Sequence, residues 1–344
     1  MEKKRTTIYH IASALGMSAS YVSRALNGHP TVSEKVKMIV KQKATELNYK
    51  QNSHAANLRQ GSSKTIGVIV PQINQGFFSE VIAGIEEACY ENNHNLIICQ
   101  SHESIKQETI AIETLIHQNV DCILISVSAE TKTSAHLEEI KNHRIHLIQF
   151  DRCIDTIESY KVLNDNEDAS YKAVNQLIGE GYKRIAFIGG PEHLSNFTKR
   201  KEGYIKAMQH ARLTIPENYI IVNAFTREKA MEASKVLLTG KDRPDAFFAV
   251  FDAQSLGVLQ VANSLNIQVP LQLGIFGYSN EAFTEFIKPT LSSINQKSKH
   301  LGRLTANLYF QNILSGNGQV EKNSTIIIKS EIIVRDSSLR SVIK

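Results

Sequence analysis

Apolar residues recur with a helical period through the first fifty positions. Ile8, Ile11, Ala12 and Leu15 share one face of a segment that Thr7 can cap and Gly16 can stop. Ser18 caps a second such segment running to about Leu26, and Asn27-Gly28-His29-Pro30 is a turn cluster. Ser33 caps a third, with Val36, Ile39, Val40, Ala44 and Leu47 on one face. The pattern predicts three short helices. After Tyr49 the chain turns polar, and Gly61-Ser62-Ser63 reads as a linker.

From Thr65 the period changes. Ile66–Val70 is a near-continuous apolar strand, followed by Phe78, Val81, Ile82, Ile85 and Cys89 at helical spacing. Leu96–Cys99, Cys122–Ile125 and His146–Phe150 are further strands, each separated by a helical segment. The alternation resumes with Ile185–Ile188, Tyr219–Val222, Ala246–Phe251 and Leu273–Phe276, and Ser324–Lys329 and Glu331–Arg335 return late to a sheet. Continuous apolar strands alternating with helices predict buried parallel sheets, and two sets of strands predict two doubly wound subdomains. The fold class is thus a small all-α head followed by an α/β body.

Composition narrows the classes. Hydrophobic residues make up 42% and charged residues 21%, which excludes a disordered chain, and no apolar run reaches membrane-spanning length. No secretory signal follows the charged N-terminus, so the expected location is the cytoplasm, with no membrane partner. Cys89, Cys99, Cys122 and Cys153 are too scattered for a metal site or a disulfide framework and are expected as buried thiols; no cofactor or metal is called for. The net charge of +5 is uneven. Residues 1–60 carry ten Lys and Arg against three acids, whereas the remainder is close to neutral. A basic head on a neutral body points to a polyanion, whose phosphates lysine and arginine neutralise with release of counterions.

The first two helices specify which polyanion. A steep crossing through a tight turn needs a small residue at the contact, Ala12, and a turn residue that tolerates positive φ, Gly16. It also needs apolar inner faces, supplied by Ile11, Leu15, Met17, Val22 and Ala25. This is a helix-turn-helix, whose second helix enters the major groove of duplex DNA by its N-terminal end. Ala19 and Ser20 then face base edges, Tyr21 and Ser23 face backbone or bases, and Arg24 is the candidate bidentate reader of guanine. Ser18 is read chiefly as a cap.

Thr7-Ile8, Ala12, Gly16-Met17-Ser18, Val22-Ser23-Arg24-Ala25-Leu26-Asn27-Gly28, Val32-Ser33-Glu34 and Leu47-Asn48-Tyr49 together resemble the LacI/GalR family of regulators. The likeness continues in register through Asn52, Ala55, Leu58-Arg59, Thr65–Pro71, Asp151-Arg152, Gly181–Ile185, Pro289-Thr290-Leu291 and Arg335–Ser338. The resemblance implies a repressor-type transcriptional regulator, not an enzyme. It would act as a homodimer on a pseudo-palindromic operator, with affinity controlled by a small-molecule effector, a sugar or related metabolite. It also implies a hinge that folds into a short helix on DNA, where Leu58 wedges into the minor groove. The DNA-facing set is Thr7, Ser18, Ala19, Ser20, Tyr21, Ser23, Arg24, Asn27, His29, Asn52, Ala55 and Leu58. Two hinge positions depart from the family's usual residues, Gln51 in place of proline and Ala56 in place of arginine.

The implied organisation is a head at 1–50, a hinge and linker at 51–62, and a periplasmic-binding-protein-like body at 63–344. Within the body, one subdomain covers about 63–161 plus 292–322, and the other about 162–291 plus 323–340. The last strand lies only a few residues before Lys344, which leaves no room for a heptad-repeat tail and favours a dimer.

Open α/β sheets bind ligands beyond the carboxyl ends of their strands. Phe77, Ser126, Asn196, Phe197, Arg200 and Asp252 fall there, and the family pattern selects Phe77, Asn196, Arg200, Phe225 and Asp252 as pocket residues. Phe78 is read as core and Asp151-Arg152 as an internal ion pair. Ser279 stands where the family usually has a ligand-binding aspartate. Two other classes compete. Gly277-x-Ser279-x-Glu281 superficially matches the nucleophile elbow of an α/β hydrolase but lacks its second glycine, and a free-standing sugar-binding protein would share the body but not the basic head.

Overall fold

The computed structural model describes residues 6–49, 62–222, 224–316, 321 and 323–340. The chain divides into two compact units, Met1–Ser63 and Lys64–Lys344.

The first unit holds α1 (Ile8–Leu15), α2 (Ala19–Leu26) and α3 (Glu34–Glu46). Gly16 ends α1 in the left-handed region at φ 59°, the conformation that lets Met17 N donate back to Ala12 O at 2.9 Å. Ser18 then caps α2, its hydroxyl accepting from Tyr21 N at 3.2 Å. Ile11, Ala12, Val22, Ala25, Val32, Val40 and Ala44 form the core of the unit, with Leu15, Met17 and Leu47 packed against it. Ile39 departs from the expected inner face and is 41% exposed, because the core stripe of α3 runs through Val40 and Ala44 instead.

The second unit contains two parallel sheets. β1 (Thr65–Val70), α4 (Gly76–Glu91), β2 (Asn95–Gln100), α5 (Ile105–His117), β3 (Cys122–Ile125), α6 (Ala135–Asn142), β4 (His146–Phe150) and β5 (Tyr160–Asn164) build the first subdomain. α7 (Asn166–Gly179), β6 (Ile185–Ile188), α8 (Ser195–His210), β7 (Ile220–Ile221), α9 (Arg227–Thr239), β8 (Ala246–Ala249), α10 (Asp252–Ser264) and β9 (Gly274–Phe276) build the second. β10 (Ser293–Asn295), α11 (Ser298–Asn307), β11 (Thr325–Ile328) and β12 (Glu331–Ile333) follow. The sheet orders are β11-β5-β4-β3-β1-β2 and β7-β6-β8-β9, parallel throughout, and β10 pairs antiparallel with β12.

β11 pairs with β5 in register from Thr325↔Lys161 to Ile328↔Asn164. Residues 162–164 and 325–328 therefore belong to the first sheet, which corrects the expected subdomain edges at 161/162 and 322/323. The chain passes between the subdomains around residue 165, again through β10, and a third time after β11. β5 and β10 escaped the apolar pattern because Tyr160–Asn164 and Ser293–Asn295 are short and have polar residues at or near both ends. Several expected strands are shorter than predicted: β7 is Ile220–Ile221, β8 ends at Ala249, β9 starts at Gly274, β11 is Thr325–Ile328 and β12 ends at Ile333.

Each face of the sheets is covered as continuous apolar strands demand. Ile66, Val68 and Val70 pack with Val81, Ile85 and Leu301 on one side of the first sheet, while Ile69 joins Ile112, Leu115 and Leu137 on the other. Cys89, Cys122 and Cys153 are buried and Cys99 is half-buried, all as free thiols, and burial pushes the Cys89 thiol up to about 12. No helix among the described residues is long and apolar enough to cross a membrane.

Candidate functional site

In the head, Ser20, Arg24 and Asn27 stand at i, i+4 and i+7 and are all exposed, so they share the outward face of α2 and the turn after it. Arg24 lies over the Tyr21 ring, 5.6 Å from its centroid, and Asn27 Nδ2 donates to Ser23 Oγ at 3.4 Å. Ala19 and Tyr21 are half-buried against the helical core. Thr7 is exposed at the start of α1, its N–H donating to His10 Nδ1 at 2.9 Å, and exposed His29 contacts Thr31 Oγ1 at 2.9 Å. Both acids among the described head residues are neutralised locally, Glu34 by Lys37 at 2.7 Å and Glu46 by Lys43 at 2.5 Å. Among the described head residues the surplus positive charge therefore falls on Arg24, Lys35 and Lys41, which are exposed. Asn52, Ala55 and Leu58 lie outside the described residues.

In the body, loops beyond the strand ends bring most of the expected pocket residues together. Arg152, one residue past the turn after β4, is 1% exposed, with its guanidinium 5.5 Å from the ring of Phe78, 5.6 Å from Phe197 and 5.5 Å from Phe225. Phe77 meets Phe78 edge-on at 5.0 Å, and Phe197, Phe225 and Phe251 form a triangle of edge-on contacts at 5.4–5.7 Å. Arg200 lies 3.7 Å from the centroid of Tyr278 and donates to Asn166 Oδ1 at 2.8 Å and to Val250 O at 3.0 Å. Asn196 Nδ2 donates to Asp151 Oδ1 at 3.3 Å, so the two subdomains meet here through polar groups as well as rings.

The charges interlock. Asp151 lies 3.8 Å from Arg152 Nε and 3.9 Å from Arg200 Nη2. Burial raises the Asp151 carboxyl above its usual range, and the two guanidiniums oppose that shift. Arg152 has a closer partner than its neighbour in sequence, because Nη1 donates to Glu103 Oε1 at 3.0 Å and Oε2 at 2.8 Å. Of the eight buried side chains among the described residues that have an atom without a hydrogen-bond partner, three lie together here: Arg152 at Nε and Nη2, and Ser101 and Ser126 at Oγ. All three follow strand ends of the first sheet. Buried donors without acceptors are costly to leave unmet.

Asp252 and Ser279 form a separate cluster. Asp252 is fully buried; Oδ1 accepts from Ser293 Oγ at 2.6 Å and Oδ2 from Glu281 N at 2.8 Å. Desolvation pushes its carboxyl up to about 7. Ser279 Oγ donates to Gln296 Oε1 at 3.0 Å. Ser279 and Phe77 line a cavity of about 570 Å³, whereas Asp151 and Asn196 line another of about 450 Å³. Sequence reasoning did not select Glu103, Ser101, Phe251 or Tyr278. Position beyond a strand end was the available signal for Glu103, Ser101 and Tyr278, whereas Phe251 fell inside the expected strand Ala246–Phe251. Among the described residues no group of three or more His, Cys, Asp or Glu side chains could hold a metal ion.

A small helix-turn-helix head and a two-sheet body with a polar cleft at its strand ends define a two-module regulator. Residues 7–52 match the model described as bacterial regulatory proteins, lacI family, and residues 174–338 match a periplasmic binding protein-like domain. The chain is 30% identical over 303 residues to catabolite control protein A of Priestia megaterium, covering 88% of this chain and 91% of that protein. This chain belongs to the lacI family of bacterial transcriptional regulators. Among solved structures, a LacI family transcriptional regulator from Enterococcus faecium with bound ribose superimposes with a TM-score of 0.70 at 26% identity, over 80% of this chain and 98% of that one. The lac repressor dimer bound to operator and the anti-inducer ONPF shares the fold, with a TM-score of 0.84 at 20% identity over 98% of this chain and all of that one.

Proposed function

We propose that this protein is a transcriptional repressor that reads duplex DNA as a homodimer and is controlled by a small polar effector held in the body. The observation that carries the reading is the exposed Ser20–Arg24–Asn27 face on a head whose described acids are both neutralised. Hydroxyl, guanidinium and amide at i, i+4 and i+7 supply the hydrogen-bonding groups that distinguish base edges in the major groove. Ser18 supplies the helix cap, and Thr7, Ala19, Tyr21, Ser23 and His29 flank the reading face. Asn52, Ala55 and Leu58 act as the minor-groove reader, and a two-fold operator matches a two-fold protein.

The effector binds among Phe77, Ser126, Asn196, Phe197, Arg200 and Phe225, together with Arg152. Rings facing unpartnered guanidinium and hydroxyl donors suit a polyhydroxylated metabolite, and the ribose carried by the Enterococcus faecium relative is of that class. Asp252 and Ser279 serve this site from behind, by fixing the 279–281 loop and the crossing strand β10. The protein works in the cytoplasm, where its DNA is, and without catalysis: the Ser279 hydroxyl donates to an amide, which is no general base.

A thermal-shift screen of mono- and disaccharides tests the effector site, because a ligand stabilises the state it binds. The ligand found should lose its effect in Arg152→Gln while that variant keeps its DNA affinity. An Arg152→Gln protein that responds as the wild type does would refute the assignment.

A further inference from the structure

We propose that Glu103 is a specificity-determining residue: it is the fixed counter-ion that cancels Arg152, so that the cleft accepts neutral polyhydroxylated ligands and rejects anionic ones. This rests on the reading of the cleft as the effector site and adds to it the ligand's charge.

Three observations converge. The first is charge balance. Arg152 and Arg200 are buried at the cleft, and Asp151 and Glu103 are the carboxylates beside them, two against two. Asp151 is shared between both guanidiniums at 3.8–3.9 Å, beyond hydrogen-bond reach, whereas Glu103 grips Arg152 Nη1 with both oxygens. Arg152 therefore depends on Glu103 for neutralisation.

The second is how Glu103 is held. Its Oε2 also accepts from Ala129 N at 2.8 Å, which ties it to the loop that carries Ser126. It sits in a turn closed by Ser104 N donating to Ser101 O at 3.0 Å, with φ of 52° at His102 and 60° at Glu103. A left-handed residue is natural for glycine or asparagine and readily tolerated by histidine, but it is strained for glutamate. Such strain persists where the side chain delivered is needed, and here it delivers a carboxylate to a buried guanidinium.

The third is what Glu103 leaves open. It occupies only Nη1, so Nε and Nη2 remain as buried donors without hydrogen-bond partners. A neutral hydroxyl or ring oxygen can accept from them at little electrostatic cost. A carboxylate or phosphate in the same place would meet Glu103 and Asp151 across a low-dielectric interior, where like charges repel strongly.

Inorganic sulfate is the probe, with melting temperature followed against sulfate and against chloride at matched ionic strength in the full chain. Wild type and Glu103→Asp, which keeps the charge, should respond alike to both salts. Glu103→Gln should gain a saturable stabilisation by sulfate of several degrees, and Glu103→Gln/Arg152→Gln should lose it. A Glu103→Gln protein that titrates as the wild type does, or a gain that survives in the double variant, overturns the proposal. If Glu103→Gln folds poorly, the double variant should regain the lost melting temperature, because the stranded guanidinium has gone; a double variant no better than the single one also overturns it. The site reading fails separately, through an Arg152→Gln protein that still answers the ligand found by thermal shift.

Discussion

Of the thirteen described non-glycine residues of the body with positive φ, five fall beside its polar chemistry and most of the rest at helix ends. The five are His102, Glu103, Asp151, Ser279 and Asn280, and each follows the end of a strand. Their partners were not legible in the chain. Arg152 and Glu103 stand 49 positions apart, and only the adjacent parallel strands β2, β1, β3 and β4 bring their loops together. Sequence reasoning could place Phe77, Ser126, Asn196, Phe197 and Arg200 beyond strand ends because that rule needs only the strands. It could not tell that both oxygens of Asp252 are committed to Ser293 and Glu281. That burial has a consequence in solution. With its carboxyl raised to about 7, the folded state holds this proton more tightly than the unfolded chain does, so the group's contribution to stability is full at low pH and is lost as pH rises through about 7. Asp252→Asn removes the titration. The melting temperature of wild type relative to the variant should fall between about pH 4 and about pH 7 and level off above it, and a constant difference across that range would contradict the burial. In the head, Arg24→Ala should cost about 1–3 kcal/mol on the preferred operator and relax preference at one base pair per half-site; a uniform loss on all duplexes would make it a phosphate contact.

Helix pairs in each subdomain are drawn together by glycine. A Cβ at Gly84 of α4 would lie 2.0 Å from Lys299 O, and one at Gly302 of α11 would lie 2.0 Å from Val81 O, so each backbone rests on the other. In the second subdomain Gly203 of α8 would meet Glu167 O at 2.2 Å. Backbone oxygens cannot give way as side-chain ends do, and overpacking of this kind costs about 1–3 kcal/mol. Gly302→Ala should lower stability by that amount in urea denaturation, with Gly179→Ala, where a Cβ meets nothing, as the neutral control. The apolar period marked α4 clearly, yet said nothing of α11 as its partner, since the contact is made by absent side chains. The same limit explains β5 and β10. Strands of three to five residues with polar ends carry too few apolar positions for alternation to register, whereas Thr65–Val70, buried throughout, stood out at once.

At the scale of the whole molecule, charge separates the two units more sharply than composition does. The head's surplus of basic residues is concentrated by local pairing of Glu34 and Glu46, while the body holds Arg152 and Arg200 in a balanced, buried network. Charge alone would have left the head as a solvated surface; the Ala12–Gly16–Ser18 geometry is what turns it toward duplex DNA. Membership of the lacI family agrees with that division of labour, and the departures at Gln51 and Ala56 mark where hinge behaviour should be measured in this chain. The central claim is sequence-specific reading of DNA by the head. Its most direct test is enrichment of duplexes from a random library by the full chain, followed by fluorescence anisotropy on the enriched and a scrambled duplex at one fixed salt concentration. A recurrent two-fold motif should emerge, bound on the order of a thousandfold or more tighter than the scrambled duplex, and this preference should collapse in Arg24→Ala. Equal affinity for the two duplexes, or no recurrent motif, would contradict it.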